Sequence, residues 1–316
     1  MKKVLLLLIA VYCLPALYAQ KKSAKASRVN TPDSLPALHA QKKPAHPIHV
    51  NPIDSLLASM SDSLEREGKR IYQAEMASWI GNDIFFDKYQ RKNNIGGFFS
   101  YMANDTARCV FFSKSRVPVV IGTIDFDTSY SAAKAATSLE ERPFTANETE
   151  LYLIRKAAMN RVLHDTDGMF KTYENSFLNP IPIINGNKKQ VYILTEPKND
   201  GEVFFGNDYL LRLNDGDTVV SVKVLHENVV RSRYGGQGEG EAVGSMHAHE
   251  PPSSDYITPT DICTLMLYEK EAGWEQHTVI SQNYVSTWDC STNELTIVPR
   301  KVWEKANKEQ LKRKRG

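Results

Sequence analysis

The strongest constraint on the fold is a series of three strand-like segments in the second half of the chain, at 191–195, 203–213 and 218–225. All three are rich in β-branched and aromatic residues, which favour β-strands. The turn sequences Asn199-Asp200-Gly201 and Asn214-Asp215-Gly216 separate them. Because strands joined by short turns pair with their neighbours in antiparallel orientation, this region predicts an antiparallel meander.

Two segments upstream of the meander carry helix signals. Apolar residues recur at helical spacing between Ile53 and Leu64. Thr145 and Glu148 form a capping-box sequence ahead of apolar positions with the same spacing, so a second helix is predicted over 145–164.

A third helix is predicted after Thr258, with Pro259 at its first position and Gly273 beyond its end. Proline is favoured at helix starts and glycine just past helix ends. Helices that flank a mostly antiparallel sheet define an α+β (mixed α/β) fold. The sequence therefore predicts a central, mostly antiparallel sheet flanked by helices. Further strand-like segments lie at 107–112, 117–126, 277–281 and 295–298.

The start of the chain has the three parts of a secretory signal peptide over residues 1–19. They are two lysines, the apolar run 4–10 and a small residue, Ala19, at the expected cleavage site. The apolar run is too short to cross a bilayer, which takes about 20 residues, and no other stretch is apolar enough. We therefore expect export to the periplasm or the extracellular space, with no membrane span in the mature protein.

Composition divides the rest of the chain. Residues 20–50 lack apolar periodicity and are typical of a disordered leader. The first helix and a strand hairpin occupy 51–143, a larger domain is predicted over 144–300, and a basic tail over 301–316. The glycine-rich segment 235–240 predicts a flexible loop. A net charge of +2 argues against nucleic-acid binding, which normally requires a strong basic excess.

Three of the four cysteines, Cys109, Cys263 and Cys290, remain after removal of the signal peptide. Three thiols cannot all pair, and their spacing lacks the Cys-x-x-Cys pattern of zinc–thiolate sites. Buried free thiols are expected, with a single Cys263–Cys290 disulfide left open as an alternative.

One group of residues could carry chemistry. Residues two apart in a strand project from the same face, so His247 and His249 would point together from the end of a predicted strand over 242–249. Paired imidazoles chelate zinc, and Asp261, in the first turn of the next helix, could supply a third ligand. Three protein ligands leave one coordination position for water, as in catalytic zinc sites.

The stretch 247–261 resembles the signature of the JAMM (MPN-type, JAB-like) zinc metalloproteases, in which His-x-His-Pro is followed by a Ser-x-x-Asp that begins a helix. The resemblance implies that His247, His249 and Asp261 hold zinc. It also implies that Thr258, at the position of the family's serine, helps to stabilise the oxyanion.

The order of elements over roughly 145–300 is similar to that family as well. A second resemblance, carried by 205–210 and 260–263, is to secreted bacterial proteins of unknown function, and it implies no activity.

The sequence departs from the JAMM signature at several positions. Glu250 replaces the proline after the second histidine, the gap before Thr258 is one residue longer, and threonine replaces serine. The family's upstream general base corresponds to Glu202 or Glu196, neither of which lies in the full Glu-x-x-Gly-x-Leu context. A zinc site could therefore persist without hydrolysis.

Simpler interpretations of these residues stay open. The segment 258–261 is a complete helix N-terminus that requires no metal, since Asp261 completes a capping box with Thr258. His226 follows the predicted strand and could be a further ligand, a proton shuttle or an ordinary residue at a strand end.

Two hypotheses on function follow. The first is a secreted or periplasmic zinc-dependent peptidase or isopeptidase, acting on peptides such as those derived from the cell wall. In it, Glu202 or Glu196 would accept the proton of the attacking water and pass it to the leaving amine. The second is a catalytically inactive envelope protein that serves as a binding or scaffolding module.

Overall fold

The computed structural model describes residues 52–234 and 244–315. The described residues from 57 onward form one compact unit, and the described residues of the other unit, 52–56, begin the first helix. The predicted signal peptide, the predicted leader and the glycine-rich segment 235–240 lie outside the described residues.

Four α-helices are present in the described part of the chain. They are α1 (Pro52–Lys88), α2 (Ala146–Leu163), α3 (Pro259–Ala272) and α4 (Arg300–Arg315). The first three confirm the helices predicted from apolar spacing and capping sequences. α4 covers most of the predicted basic tail, which is therefore helical.

The strands form three four-stranded sheets, here called sheets 1, 2 and 3. Sheet 1 has the order β1-β2-β3-β4, sheet 2 the order β5-β6-β7-β8, and sheet 3 the order β12-β11-β10-β9. Neighbouring strands within them are antiparallel except β9 and β10, which run parallel. The α+β class is confirmed, although the strands divide among three sheets.

The strand bounds are β1 (Ile95–Ala103), β2 (Thr106–Ser113), β3 (Val120–Phe126), β4 (Ala136–Ser138), β5 (Ser176–Asn185), β6 (Lys188–Pro197), β7 (Glu202–Leu213), β8 (Val219–Arg233), β9 (Gly244–Ala248), β10 (Gln276–Ile280), β11 (Tyr284–Asp289) and β12 (Glu294–Pro299).

The predicted meander corresponds to β6, β7 and β8 of sheet 2. Their neighbour β5, which contains Pro180 and Pro182, is not among the strands predicted from the sequence. Proline cannot donate to a strand ladder and is tolerated mainly at sheet edges. β5 is an edge strand of sheet 2, so the prolines are compatible with it.

Two hydrophobic clusters show how the helices connect the sheets. One joins α2 to residues of sheets 1 and 2, including Phe99, Ile154 and Val191. The other joins α3 to both sheets 2 and 3, through residues such as Phe205, Ile262 and Trp288. α3 therefore lies where sheets 2 and 3 meet, and its first turn faces both.

Two further expectations can be compared with the described residues. Cys109, Cys263 and Cys290 are free thiols; Cys109 and Cys263 are buried as expected, whereas Cys290 is only half-buried. No helix in the described ranges is long and apolar enough to cross a membrane.

Candidate metal centre

Four side chains from three different elements converge beside the first turn of α3, and their potential ligand atoms all lie within 4.8 Å of one another. The side chains are only 1–9% exposed. We call this group the His/Asp cluster. Its members are His226 on β8, His247 on β9, His249 directly after β9, and Asp261 in the first turn of α3.

His247 and His249 point to the same side because they are two residues apart in an extended chain. His247 lies opposite Val279 in the parallel ladder with β10. The backbone N–H of His249 continues the ladder by donating to the carbonyl of Ile280 at 2.9 Å. The Nε2 atoms of the two imidazoles lie 3.0 Å apart.

Asp261 belongs both to the cap of α3 and to the His/Asp cluster. Its Oδ2 accepts hydrogen bonds from the backbone N–H (2.9 Å) and the hydroxyl (2.8 Å) of Thr258, which completes the predicted capping box. Its Oδ1 is buried and accepts no hydrogen bond from any described residue. Nε2 of His247 lies 3.6 Å from that oxygen. A buried carboxylate oxygen without a donor is costly unless a cation satisfies it.

His226 reaches the cluster from sheet 2. Its Nε2 lies 2.8 Å from Nε2 of His249 and 3.5 Å from Oδ2 of Asp261. The other nitrogen, Nδ1, lies 2.7 Å from the carboxylate of Asp208, its ladder partner on β7. Of the uses that the sequence left open for His226, the geometry favours that of a further ligand.

A bulge in the ladder between β7 and β8 fixes the position of Asp208. The strand register shifts on both sides of this residue, and Gly206 and Asn207 have φ angles of 89° and 50°. A side chain at Gly206 would collide with the carbonyl of Asn228. The buried side chain of Asn207 holds the bulge through hydrogen bonds with Thr195 and Tyr209. Bulges of this kind commonly redirect a side chain toward a functional site.

The nitrogens that face away from the cluster also have partners. Nδ1 of His249 donates to the carbonyl of Ser254 at 3.0 Å. Nδ1 of His247 lies 2.9 Å from Nε2 of His277, whose own Nδ1 lies 2.6 Å from the hydroxyl of Ser245. Histidines that bind metals usually have such outer partners, which fix the ring and its tautomer.

Burial and the neighbouring carboxylates shift the pKa values of the imidazoles in opposite directions. Burial lowers the pKa of His226, but the carboxylates of Asp208 and Asp261 outweigh it and raise that pKa to about 9. Burial lowers the pKa of His247 to about 4 and that of His277 to about 3.

For Asp261, burial acts to raise the pKa, yet the neighbouring imidazoles hold it well below the usual value. The carboxylate is therefore ionised. A neutral imidazole with a free nitrogen and an ionised carboxylate are the forms that bind metals.

The spacing of the ligand atoms is compatible with one small cation. Zinc–nitrogen bonds of about 2.0–2.1 Å in a tetrahedron place ligand atoms about 3.3–3.4 Å apart. The contacts between Nε2 atoms are 2.8 and 3.0 Å, and those from Nε2 to the carboxylate oxygens are 3.4–3.6 Å. The His/Asp cluster could therefore hold a metal ion.

The structure thus brings together the three predicted ligands His247, His249 and Asp261. Thr258, the predicted oxyanion residue, caps α3 and holds Asp261. The two predicted bases have other partners: Glu202 accepts from Arg233 at 3.4 Å, and Glu196 accepts from Asn179.

Within the described ranges, neither Glu196 nor Glu202 forms a hydrogen bond or ion pair with the His/Asp cluster. Their role in catalysis stays a prediction.

Asp208 and His277 are not among the residues predicted from the sequence, which leaves the role of His226 open. Asp208 lies in the segment 205–210, which carries only the second resemblance. His277 lies in a predicted strand, but no local spacing connects it to His247.

In comparisons with known proteins, no family model matches this sequence, and neither the curated proteins nor the solved structures contain a match.

Proposed function

We propose that this chain is an exported protein that binds one zinc ion through the His/Asp cluster. The observation that carries the proposal is the convergence of four buried side chains that each offer a ligand atom, together with the carboxylate oxygen Oδ1 of Asp261, which lacks a hydrogen-bond donor among the described residues. Export rests on the signal-peptide sequence alone.

The donor set supports zinc as the ion. Three imidazole nitrogens and one carboxylate oxygen are common zinc ligands, and zinc accepts a tetrahedral arrangement readily. The His/Asp cluster contains no thiolate, which argues against copper(I). It offers few oxygen ligands, which argues against calcium and magnesium.

A structural role for the ion follows from the number of ligands. Zinc sites with four protein ligands are typically structural, whereas catalytic sites keep one position for water. Here β8 of sheet 2, β9 of sheet 3 and the start of α3 each contribute to the His/Asp cluster. The ion would hold these elements together in a binding or scaffolding module of the cell envelope.

Hydrolysis of peptide or isopeptide bonds is the second candidate function. The proximity of His247, His249 and Asp261, the three ligands that the JAMM resemblance implies, favours it. Bound zinc supplies Lewis-acid activation of water and of the substrate carbonyl. For hydrolysis, His226 would have to yield its coordination position, and Glu202 or Glu196 would have to serve as the base.

Metal analysis of the purified protein tests the main proposal. We expect about one equivalent of zinc in the parent protein and none in a His247→Ala/His249→Ala double variant. Equally negligible metal in both proteins would leave only the helix cap of α3 and refute the site. The N-terminal residue of the mature protein tests export, for which Gln20 is expected.

A peptidase assay separates the two functions. A structural site predicts no zinc-dependent cleavage of branched or isopeptide-linked peptides by the parent protein. Cleavage that is lost in Glu202→Gln or Glu196→Gln, while zinc content is kept, would instead establish the hydrolase.

A further inference from the structure

His277 lies next to the His/Asp cluster without belonging to it. Its Nε2 lies 2.9 Å from Nδ1 of His247, the nitrogen that faces away from the cluster. The ring is only 1% exposed and stacks on Phe205, with centroids 5.1 Å apart and an interplanar angle of 18°. Its Nδ1 lies 2.6 Å from the hydroxyl of Ser245. The ring is therefore held on both edges and on one face.

The hydrogen-bond chain of these three residues can run in two directions. In the first, His247 donates from Nδ1 to Nε2 of His277, which donates from its own Nδ1 to Ser245. In the second, Ser245 donates to His277, and His277 donates to Nδ1 of His247. A neutral imidazole carries one proton, so the second direction places the proton of His247 on Nε2.

Only the first direction is compatible with a metal ion. A metal takes the lone pair of Nε2, which requires the proton of a neutral His247 to be on Nδ1. Nδ1 then needs an acceptor, and Nε2 of His277 is the atom within hydrogen-bond distance.

The other two histidine ligands have partners that can only accept. Nδ1 of His249 faces the carbonyl of Ser254, and Nδ1 of His226 faces the carboxylate of Asp208. These partners select the metal-binding tautomer without further help. The partner of His247 is an imidazole, which can either donate or accept, so the tautomer of His247 depends on the state of its neighbour.

We propose that His277 is a positioning residue for the metal centre, held by Ser245 in the tautomer that accepts the Nδ1 proton of His247. The inference rests on the proposed zinc site. It adds to that site an outer chain of two residues that sets the tautomer of one ligand.

Variants of His277 test this role through metal affinity. His277→Phe retains a ring that stacks on Phe205 but has no acceptor, and it should bind zinc about 10–100-fold more weakly, which is the usual effect of losing an outer partner. His277→Gln retains an acceptor near the position of Nε2 and should recover much of that loss. The matched control is His164→Phe at the exposed end of α2, which should leave zinc affinity unchanged.

Competition with a chelator measures these affinities, and the visible spectrum of cobalt in place of zinc reports the coordination geometry. Equal zinc affinity in His277→Phe and the parent would overturn the positioning role and leave the zinc site intact. A parent protein without zinc affinity would refute the proposed function itself.

A measurement on the parent protein remains decisive should His277→Phe fail to fold. Nitrogen-15 chemical shifts distinguish a protonated ring nitrogen from a bare one. In the zinc-bound protein, we expect His277 to carry its proton on Nδ1. A proton on Nε2 of His277 would contradict the proposal.

Discussion

At the scale of single residues, Asp261 shows how a helix cap and a ligand can be the same side chain. Oδ2 accepts from Thr258 and begins α3, while Oδ1 faces Nε2 of His247 at 3.6 Å. Because the cap leaves Oδ1 without a hydrogen-bond donor among the described residues, the capping interpretation and the metal interpretation of this residue do not exclude each other.

An Asp261→Asn variant separates the two roles. Its amide oxygen can still accept from Thr258, so we expect the cap of α3 to persist, while loss of the buried charge that faces His226 lowers the free energy of unfolding of the metal-free protein. Zinc affinity should fall by more than the roughly 10–100-fold cost of losing an outer partner, since a charged ligand is removed. Chemical denaturation and chelator competition measure the two quantities. Unchanged zinc affinity would argue against Asp261 as a ligand.

Asp208 acts on the site only through His226. Replacement by asparagine removes the charge that faces Nδ1 of His226, and we expect zinc affinity to fall about 10–100-fold. The exposed Asp87→Asn, at the end of α1, is the control for loss of one carboxylate and should have no effect. Similar affinities for the two variants would show that the 2.7 Å contact of Asp208 with His226 does not support the site.

At the scale of elements, α2 and α3 begin with the same device. Each has a threonine cap with an acidic residue three positions later, and both reciprocal hydrogen bonds are present in each case. The acidic residue of α2, Glu148, pairs with Arg142, whereas that of α3 belongs to the His/Asp cluster.

This difference allows a matched comparison of Thr145→Ala and Thr258→Ala. Each should lower the free energy of unfolding by about 1 kcal/mol, the usual cost of losing a cap. Only Thr258→Ala should also weaken zinc binding, because it frees the carboxylate of Asp261. Thermal unfolding and chelator competition measure the two effects. An equal effect of both variants on zinc affinity would show that the cap of α3 does not order the site.

Local patterns explain why part of the site was predictable from sequence. His247 and His249 alternate in one strand, and Asp261 completes a capping sequence, so short-range spacing identifies all three. The same local signals predicted α1, α2, α3 and the meander of sheet 2.

The rest of the site depends on pairings between distant segments. His226 meets Asp208 only because of the bulge in the ladder between β7 and β8, and His277 meets His247 only through the parallel pairing of β9 with β10. The division of the strands into three sheets also depends on pairings between distant segments. The spacing of neighbouring residues does not predict such pairings.

A second buried polar group joins α1 to sheet 2. Asn179 on β5 donates to Glu75 on α1 at 2.7 Å and also to Glu196 on β6. Burial and the neighbouring carboxylate raise the pKa of Glu75 well above its usual value, and burial also raises the pKa of Glu196. The folded protein therefore holds a proton in this pair that the unfolded chain releases at lower pH.

A raised pKa in the folded state stabilises the protein below the unfolded pKa, and this stability is lost as the pH rises through the folded pKa. We therefore expect the free energy of unfolding of the parent protein to fall as the pH rises from about 5 to about 8. The fall should be smaller in Glu75→Gln. The exposed Glu294→Gln is the control. Denaturant titrations at both pH values measure the change. The parent, Glu75→Gln and Glu294→Gln all keep the His/Asp cluster, so the pH dependence of that cluster cancels in the comparison. An equal fall of the free energy of unfolding in the parent and in Glu75→Gln would refute the prediction.

At the scale of the whole molecule, the His/Asp cluster lies where sheets 2 and 3 meet the start of α3. β8 and β9 are both edge strands of their sheets. The hydrophobic cluster around α3 already joins the sheets through residues such as Phe205 and Trp288. A metal ion would add a link between the same elements that hydrophobic packing brings together.

This arrangement predicts that zinc stabilises the entire fold. An ion that binds only the folded state, present at a free concentration of about 100 times its Kd, adds about 2.7 kcal/mol to the free energy of unfolding. In a domain of this size, that should raise Tm by about 5–10 °C. Differential scanning calorimetry with zinc and with a chelator measures the shift, and the His247→Ala/His249→Ala variant should show none. If zinc raised Tm equally in both proteins, the ion would bind elsewhere. If it raised Tm in neither, the His/Asp cluster would not hold the sheets together through a metal.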